Sequence, residues 1–341
     1  MSKTKVGIIN VTGYAGVELA RLLYRHPNVE ITSVTGRSQA GQKLAAVFPH
    51  LSDLGLTITA ELDKVDIAFS ALPHKESAKE CIPLLQKGVK VVDVSADFRL
   101  KDAADYPKWY SGFVHPAPEL LKESVYGLTE LNRASIAKAR LVANPGCYPT
   151  SAILALAPAL KAGIIEPDII IDSKSGVSGA GRTLSLKTHY SEVNEDVSAY
   201  SLEGHQHLPE ISQELAVLHP KPAPSVTFVP HLIPMTRGIL TTAYARLTGK
   251  QTQEELTSIY KNFYKGEPFV KVTDAPPHTK HTYGNNLCLV YPVLDPRTNR
   301  LIAISALDNL VKGAAGQAIQ NMNLMCGWPE TTGLEALAVY P

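Results

Sequence analysis

Excess charge of one sign is missing from this chain: 33 Lys and Arg stand against 32 Asp and Glu, a formal net charge of +1 over 341 residues. Such a balance offers no electrostatic pull for nucleic acid or for an anionic membrane, both of which call for clustered cations. Long hydrophobic runs are missing as well, since nothing approaches the roughly eighteen apolar residues of a membrane helix. The opening Met1-Ser2-Lys3-Thr4-Lys5 passes into a strand without the apolar stretch of a secretory signal, so the expected location is cytoplasmic. Cysteine is sparse. Cys81, Cys147, Cys288 and Cys326 are scattered without metal-type spacing and read as free thiols in a reducing compartment, three of them core residues. Internal repeats and low-complexity tracts are also absent. What remains, at 45% hydrophobic and 19% charged, is a globular chain long enough for two domains.

The first half alternates strand and helix. Lys5–Ile9, Val29–Thr35, Val65–Ala71 and Val89–Val94 are apolar strands, with helical stretches at Val17–Leu23 and about Ser77–Gln86 between them, the pattern of a parallel sheet covered on both faces. The second half changes character. Asp168–Ser173, Ser225–Ile233, Ile239–Leu247, Cys288–Leu294 and Leu301–Leu307 are strand-like, several of them alternating as in a half-exposed antiparallel sheet. An α/β domain followed by an α+β domain is the expected architecture. Leu310, Ala314, Ala318, Ile319, Met322 and Met325 mark one face of a last helix able to pack on either domain.

After the first strand comes Asn10-Val11-Thr12-Gly13-Tyr14-Ala15-Gly16, a glycine turn opening a helix, which suits the pyrophosphate of a dinucleotide. Asn10 stands where glycine is usual, but Asn tolerates left-handed backbone. The second strand ends Val34-Thr35-Gly36-Arg37-Ser38 with no carboxylate at its tip, where an NAD site places Asp or Glu for the ribose hydroxyls. Arg37 with hydroxyl neighbours Thr35 and Ser38 suits a 2′-phosphate instead, so NADP(H) is the expected cofactor. The alternative reading of Arg37 is a solvated loop charge.

Two further constellations carry chemistry. Arg140–Ala143 reads as a buried strand, Asn144-Pro145-Gly146 as a turn, and Thr150 onward as a helix with Pro149 near its first turn, which aims the Cys147 thiol at a helix N-terminus. The helix dipole favours a thiolate there by roughly 0.3–1 kcal/mol, up to about 2 in a partly buried site, which lowers the thiol by about one pKa unit, so a base is needed elsewhere. A packed core cysteine is the plain alternative. In Gly204-His205-Gln206-His207-Leu208-Pro209-Glu210 the two histidines share one face of an extended segment, with a helix beginning near Pro209. A metal site would lack further ligands at sensible spacing. General base and orienting partner fit better, beside a cysteine on a helix mount.

Those runs, together with Ser95-Ala96-Asp97-Phe98-Arg99-Leu100, Tyr126–Leu131, Ser175–Arg182, Pro230–Gly238 and Asn309–Gln317, resemble the N-acetyl-γ-glutamyl-phosphate reductase family over nearly the whole chain. Departures are Asn10 for glycine and Thr129 where proline is common. The resemblance implies the architecture of glyceraldehyde-phosphate and aspartate-semialdehyde dehydrogenases: residues 1–147 and 309–341 form a Rossmann domain, residues 148–308 an α+β catalytic and dimerisation domain with a mainly antiparallel sheet, and the chain assembles as a homodimer or homotetramer. It further implies a small-molecule acyl phosphate, N-acetyl-L-glutamyl 5-phosphate, reduced to the semialdehyde of arginine biosynthesis through a Cys147 thioester. His205 is expected as acid/base oriented by Glu210, with His207 stabilising the oxyanion or contacting phosphate; the two histidines could exchange roles. Arg99, Asn144 and Arg182 are expected at the substrate. The phosphate loop (Thr12, Gly13, Tyr14, Ala15, Gly16), Leu72, Pro73, His74, Ser178, Gly179 and Asn309 are expected at the cofactor, Asn309 near the nicotinamide amide. Rival readings are a carrier-protein-linked aminoadipyl or glutamyl phosphate reductase, an NADP-sensing protein without catalysis, and a zinc hydrolase built on the histidines.

Overall fold

The computed structural model describes residues 3–219 and 221–341, in two compact units: the chain up to Gly146 with Ala314–Ala336, and Cys147–Gly313 with Leu337–Pro341. In the first unit, β1 (Thr4–Ile9), β2 (Val29–Thr35), β3 (Ile58–Thr59), β4 (Ile67–Ser70), β5 (Lys90–Asp93), β6 (Val125–Tyr126) and β7 (Leu141–Ala143) form one sheet in the order β3-β2-β1-β4-β5-β7-β6. All its pairings are parallel. Parallel strands need crossovers, and helices cover both faces, which is why β4 and β7 are buried at every position and read as unbroken apolar runs. Helix Tyr14–Leu23 buries Leu19, Ala20, Leu22 and Leu23; helix Ser77–Gln86 buries Ala78, Cys81 and Leu85. The last helix, Gly316–Met325, packs with this unit through Ala318, Ile319, Met322 and Met325.

The second unit contains β8 (Ile165–Gly176), β9 (Ser198–Ala199), β10 (Ser225–Ile233), β11 (Ile239–Leu247), β12 (Val270–Val272), β13 (Cys288–Asp295) and β14 (Arg300–Leu307), in the order β12-β13-β14-β11-β8-β10-β9. Alternation is plain along β8, where Ile169, Ile171 and Ser173 are buried and Asp168 and Ile170 exposed. The sheet is mixed, however. β11 runs antiparallel to β8 and β14, and β13 to β14, but β8 and β10 lie parallel over nine pairs, and β12 lies parallel to β13. The expected mainly antiparallel sheet is found, with β10 and β9 also antiparallel, so that four of its six pairings are antiparallel; the two parallel pairs leave no mark in the sequence, because alternation reports which face is buried and is silent on the direction of the neighbour.

Helix Cys147–Lys161 lies on this sheet with every residue from Tyr148 to Leu160 buried. The phenols of Tyr260 and Tyr264 donate to its Ala155 and Leu154 carbonyls. Asn309–Gly313 and Leu337–Pro341 pack with this unit, whereas the expected division placed them in the other. Asn309 gives the reason, since its amide joins Gly238 and Ser178. Cys81 and Cys288 are core thiols as expected, but Cys326 is only partly buried. Among the described residues no helix is long and apolar enough to cross a membrane.

Candidate active site

Helix 147–161 begins at Cys147 itself, three residues earlier than the sequence suggests. Pro149 is no obstacle, because first-turn N–H groups have no partner within the helix. Cys147 is thus the first helical residue, half-buried at the head of a helix that is otherwise sealed. The helix is pinned from below by four fully buried hydroxyls. Ser151 Oγ lies 2.7 Å from Thr241 Oγ1 and 2.8 Å from Ser305 Oγ, Ser173 Oγ lies 2.7 Å from Thr241 Oγ1, and Ser305 Oγ also donates to Ser151 O at 2.9 Å. Within the second unit Gly313, in the π-turn Val311–Ala315, lies against Cys147: a Cβ on Gly313 would lie 2.8 Å from Cys147 Cβ, so only glycine fits.

The turn before Cys147 belongs to the first unit. Asn144 is fully buried, and Arg99, expected to grip substrate, is 7% exposed, with Nε donated to Asn144 O and Nη2 to Val94 O, each at 2.8 Å. Its guanidinium therefore supports this backbone. Arg182 is exposed, in a loop that also exposes Leu184, Leu186, Tyr190, Val197 and Leu202.

The histidines lie in a turn and not in an extended segment, yet their rings still meet, with centroids 4.8 Å apart. His205 Nδ1 accepts the His207 backbone N–H at 3.0 Å, the place reserved in the sequence expectation for Glu210. The neutral ring accordingly carries its proton on Nε2. Tyr148, Tyr200 and Phe228 surround His205 edge-on, and burial alone pushes its pKa down to about 4. Glu210 is buried in the first turn of helix Leu208–Leu218. Two phenols that sequence reasoning missed complete the group. Tyr200 donates to Tyr148 Oη at 3.2 Å, Tyr148 donates to His231 O at 3.0 Å, and burial pushes Tyr200 up to about 12 and Tyr148 further, so both stay protonated donors. Tyr148 follows Cys147 directly, which was the available signal; Tyr200 had none. Among the described residues no group of three or more His, Cys, Asp and Glu is placed to hold a metal ion.

The nucleotide loop fits a dinucleotide. Asn10 takes the left-handed conformation (φ 63°) and its Nδ2 donates to Ala71 O at 2.8 Å, tying the phosphate loop to the Leu72–His74 loop. A Cβ on Gly16 would come within 2.3 Å of Asn10 O, so the helix can start against the turn only with glycine there. Gly13 caps that helix without a side-chain bond. Thr35 Oγ1 accepts the Asn10 N–H at 3.3 Å, and Thr12 Cγ2 faces Gly36. Tyr14, Arg37 and Ser38 are exposed and Ala15 is half-buried. Arg37 is ion-paired with Glu76, a carboxylate that sequence position hid. In the second unit Ser178, Gly179 and Asn309 converge: Asn309 Oδ1 accepts the Gly238 N–H at 2.7 Å, and its Nδ2 donates to Ser178 Oγ at 2.9 Å.

Residues 5–139 match the family model of the semialdehyde dehydrogenase NAD-binding domain, and residues 147–309 that of the semialdehyde dehydrogenase dimerisation domain. The chain is 62% identical to an N-acetyl-gamma-glutamyl-phosphate reductase of Dehalococcoides mccartyi, with all of both chains covered. It is 52% identical to one of Geobacter metallireducens, over 98% of this chain and 99% of that protein. Among solved structures, aspartate semialdehyde dehydrogenase II of Vibrio cholerae superposes with TM-score 0.73 at 18% identity, covering 96% of this chain and 99% of that one. The aspartate semialdehyde dehydrogenase of Candida albicans with NADP gives 0.71 at 15% identity, over 95% and 99%. At such identities these two show the fold alone.

Proposed function

The chain belongs to the N-acetyl-γ-glutamyl-phosphate reductase family, and from that premise we propose that Cys147 carries the reduction of N-acetyl-L-glutamyl 5-phosphate to the 5-semialdehyde. The observation that carries this reading is the half-exposed thiol at the head of an otherwise sealed helix. Cys147 Sγ attacks the acyl carbon, the carbon–oxygen bond breaks and phosphate leaves, giving a thioester. A bound nicotinamide cofactor supplies the hydride for that thioester. The carbon–sulfur bond then breaks, releasing the aldehyde and returning the electron pair to sulfur.

His205, neutral with its proton on Nε2, donates a hydrogen bond to the oxygen that gains charge, a role that electrostatic preorganisation favours. His207 then moves the proton, an exchange of the roles first assigned. Arg182 grips a substrate anion, while Arg99 supports the turn at Asn144. NADPH is the cofactor that Arg37 and Ser38 favour. The exposed Leu184, Leu186, Tyr190, Val197 and Leu202 support a homodimer or homotetramer, in which a second copy would cover them. The test is phosphate-dependent reduction of NADP with N-acetylglutamate semialdehyde, run beside its aminoadipate homologue. Rapid turnover of the first and little of the second is expected; turnover of neither would overturn the reading.

A further inference from the structure

Asn144 is held at each of its polar atoms, and Pro145, Gly146 and Cys147 follow it directly. Its N–H donates to Asp93 O at 2.8 Å, its carbonyl accepts Arg99 Nε at 2.8 Å, its Nδ2 donates to Ala314 O at 3.1 Å, and its Oδ1 accepts Asn321 Nδ2 at 3.1 Å. Asn321 is fully buried on helix 316–325, 177 positions away in sequence. Its Nδ2 also donates to Gly127 O at 2.8 Å, and its Oδ1 accepts Thr129 Oγ1 at 3.1 Å and Gln317 Nε2 at 3.4 Å. Gln317 Nε2 in turn donates to Thr129 Oγ1 at 2.8 Å. Such an approach requires glycine at 127, where a Cβ would sit 2.4 Å from Asn321 Nδ2. The orientation of the Asn321 amide follows from its partners, since its nitrogen meets the Gly127 and Asn144 oxygens; a flip would set oxygen against oxygen at both.

We propose that Asn321 is a positioning residue for Cys147: acting through the Asn144 side chain, it fixes the turn from which the nucleophile's helix starts. This rests on the reading of Cys147 as nucleophile. A buried amide network is an inefficient way to gain stability, but the side-chain polar atoms of Asn144 and Asn321 are all paired and specify one geometry for that linkage, while Gln317 Oε1 at its edge has no partner among the described residues. Covalent catalysis depends on that geometry, because a displacement of about 1 Å at a reacting atom costs on the order of 10²-fold in rate.

The test is a double-mutant cycle of Asn144→Ala and Asn321→Ala in the full chain. Measured are kcat, KM, cofactor affinity and the second-order rate of Cys147 alkylation by iodoacetamide across pH. Asn321→Ala is expected to lower kcat by about ten- to a hundredfold, with KM and cofactor affinity little changed, and to alter the alkylation rate. The double variant is expected to be no slower than Asn144→Ala alone, because both substitutions break one linkage. Losses that multiply, an unchanged kcat, or a loss confined to cofactor affinity would overturn the proposal. Should Asn321→Ala not fold, Thr129→Val removes one donor from Asn321, and an unchanged kcat in that variant overturns it equally. Alkylation needs no substrate, so a wild type without reductase activity would defeat the proposed reaction and still leave the coupling measurable.

Discussion

A histidine whose Nδ1 is taken by a backbone N–H has only Nε2–H to offer, and that single bond decides what His205 does. Glutamine can present an amide N–H from nearly the same place, so His205→Gln should keep much of kcat where His205→Ala loses about 10²–10³-fold. Steady-state kinetics of the two variants checks this: equal losses would mean proton transfer and not donation. Burial also makes the ring a pH sensor of stability. Its folded pKa of about 4 lies below the ordinary 6.5, so the unfolded chain binds the proton first as pH falls. Stability is full above about 6.5 and is lost between there and about 4, and urea denaturation at several pH values should show that slope reduced in His205→Gln. For Cys147, the expectation is that Cys147→Ser abolishes turnover with NADPH affinity kept. Mass spectrometry of wild type given acyl phosphate without cofactor should find a thioester on Cys147.

At the scale of elements, helix 147–161 is held by what packs on it. Gly313→Ala would bring a methyl group 2.8 Å from Cys147 Cβ, and the backbone of the π-turn or Cys147 must shift. A kcat loss of about 10²-fold with little change in thermal midpoint is expected, read by kinetics beside calorimetry. At the end of β5 the balance is electrostatic. Asp93 accepts Ser77 Oγ and the Ser95 N–H, yet burial, with Asp97 beside it, pushes its pKa from 3.8 up to about 7. The folded chain therefore keeps a proton that the unfolded chain gives up, and stability falls as pH rises from about 3.8 to about 7. Asp93→Asn keeps the acceptor and removes the titration. It should stabilise the protein at pH 8 and leave it nearly unchanged at pH 4, as urea midpoints would show.

For the whole molecule the cofactor and the assembly are at issue. NADPH should exceed NADH in kcat/KM, and Arg37→Ala should erode that preference chiefly through NADPH. Glu76 pairs with Arg37, with side chains 39% and 65% exposed, so the pair is worth little and a 2′-phosphate can displace it. Glu76→Gln should then tighten NADPH by a few-fold at most, measured by fluorescence titration. Light scattering should return two or four copies, and serine at Leu184 and Leu186 should weaken the assembly, since those side chains are 99% and 72% exposed in the single chain.

Much of this was legible in sequence. Val29–Thr35, Ser77–Gln86, Ser225–Ile233 and Ile239–Leu247 have their expected bounds, because each is a periodic apolar pattern closed by turn residues, and such patterns are local. Cys147 stood out for the same reason, as strand, turn and helix are contiguous around it. Direction of pairing was legible for the first sheet and for most of the second, but not for β8 with β10, where alternation is the same whether the strands run parallel or antiparallel. Nor were the backbone partners of Arg99 legible, since nothing local marks that its guanidinium donates to Asn144 O and Val94 O. The fold class, and the placing of Cys147 at a helix N-terminus, followed from local periodicity and turn chemistry. Which side chain orients which, from His207 N–H on His205 to Asn321 on Asn144, was decided by tertiary structure alone, because a hydrogen bond depends on where folding brings two groups and leaves no periodic mark on the chain.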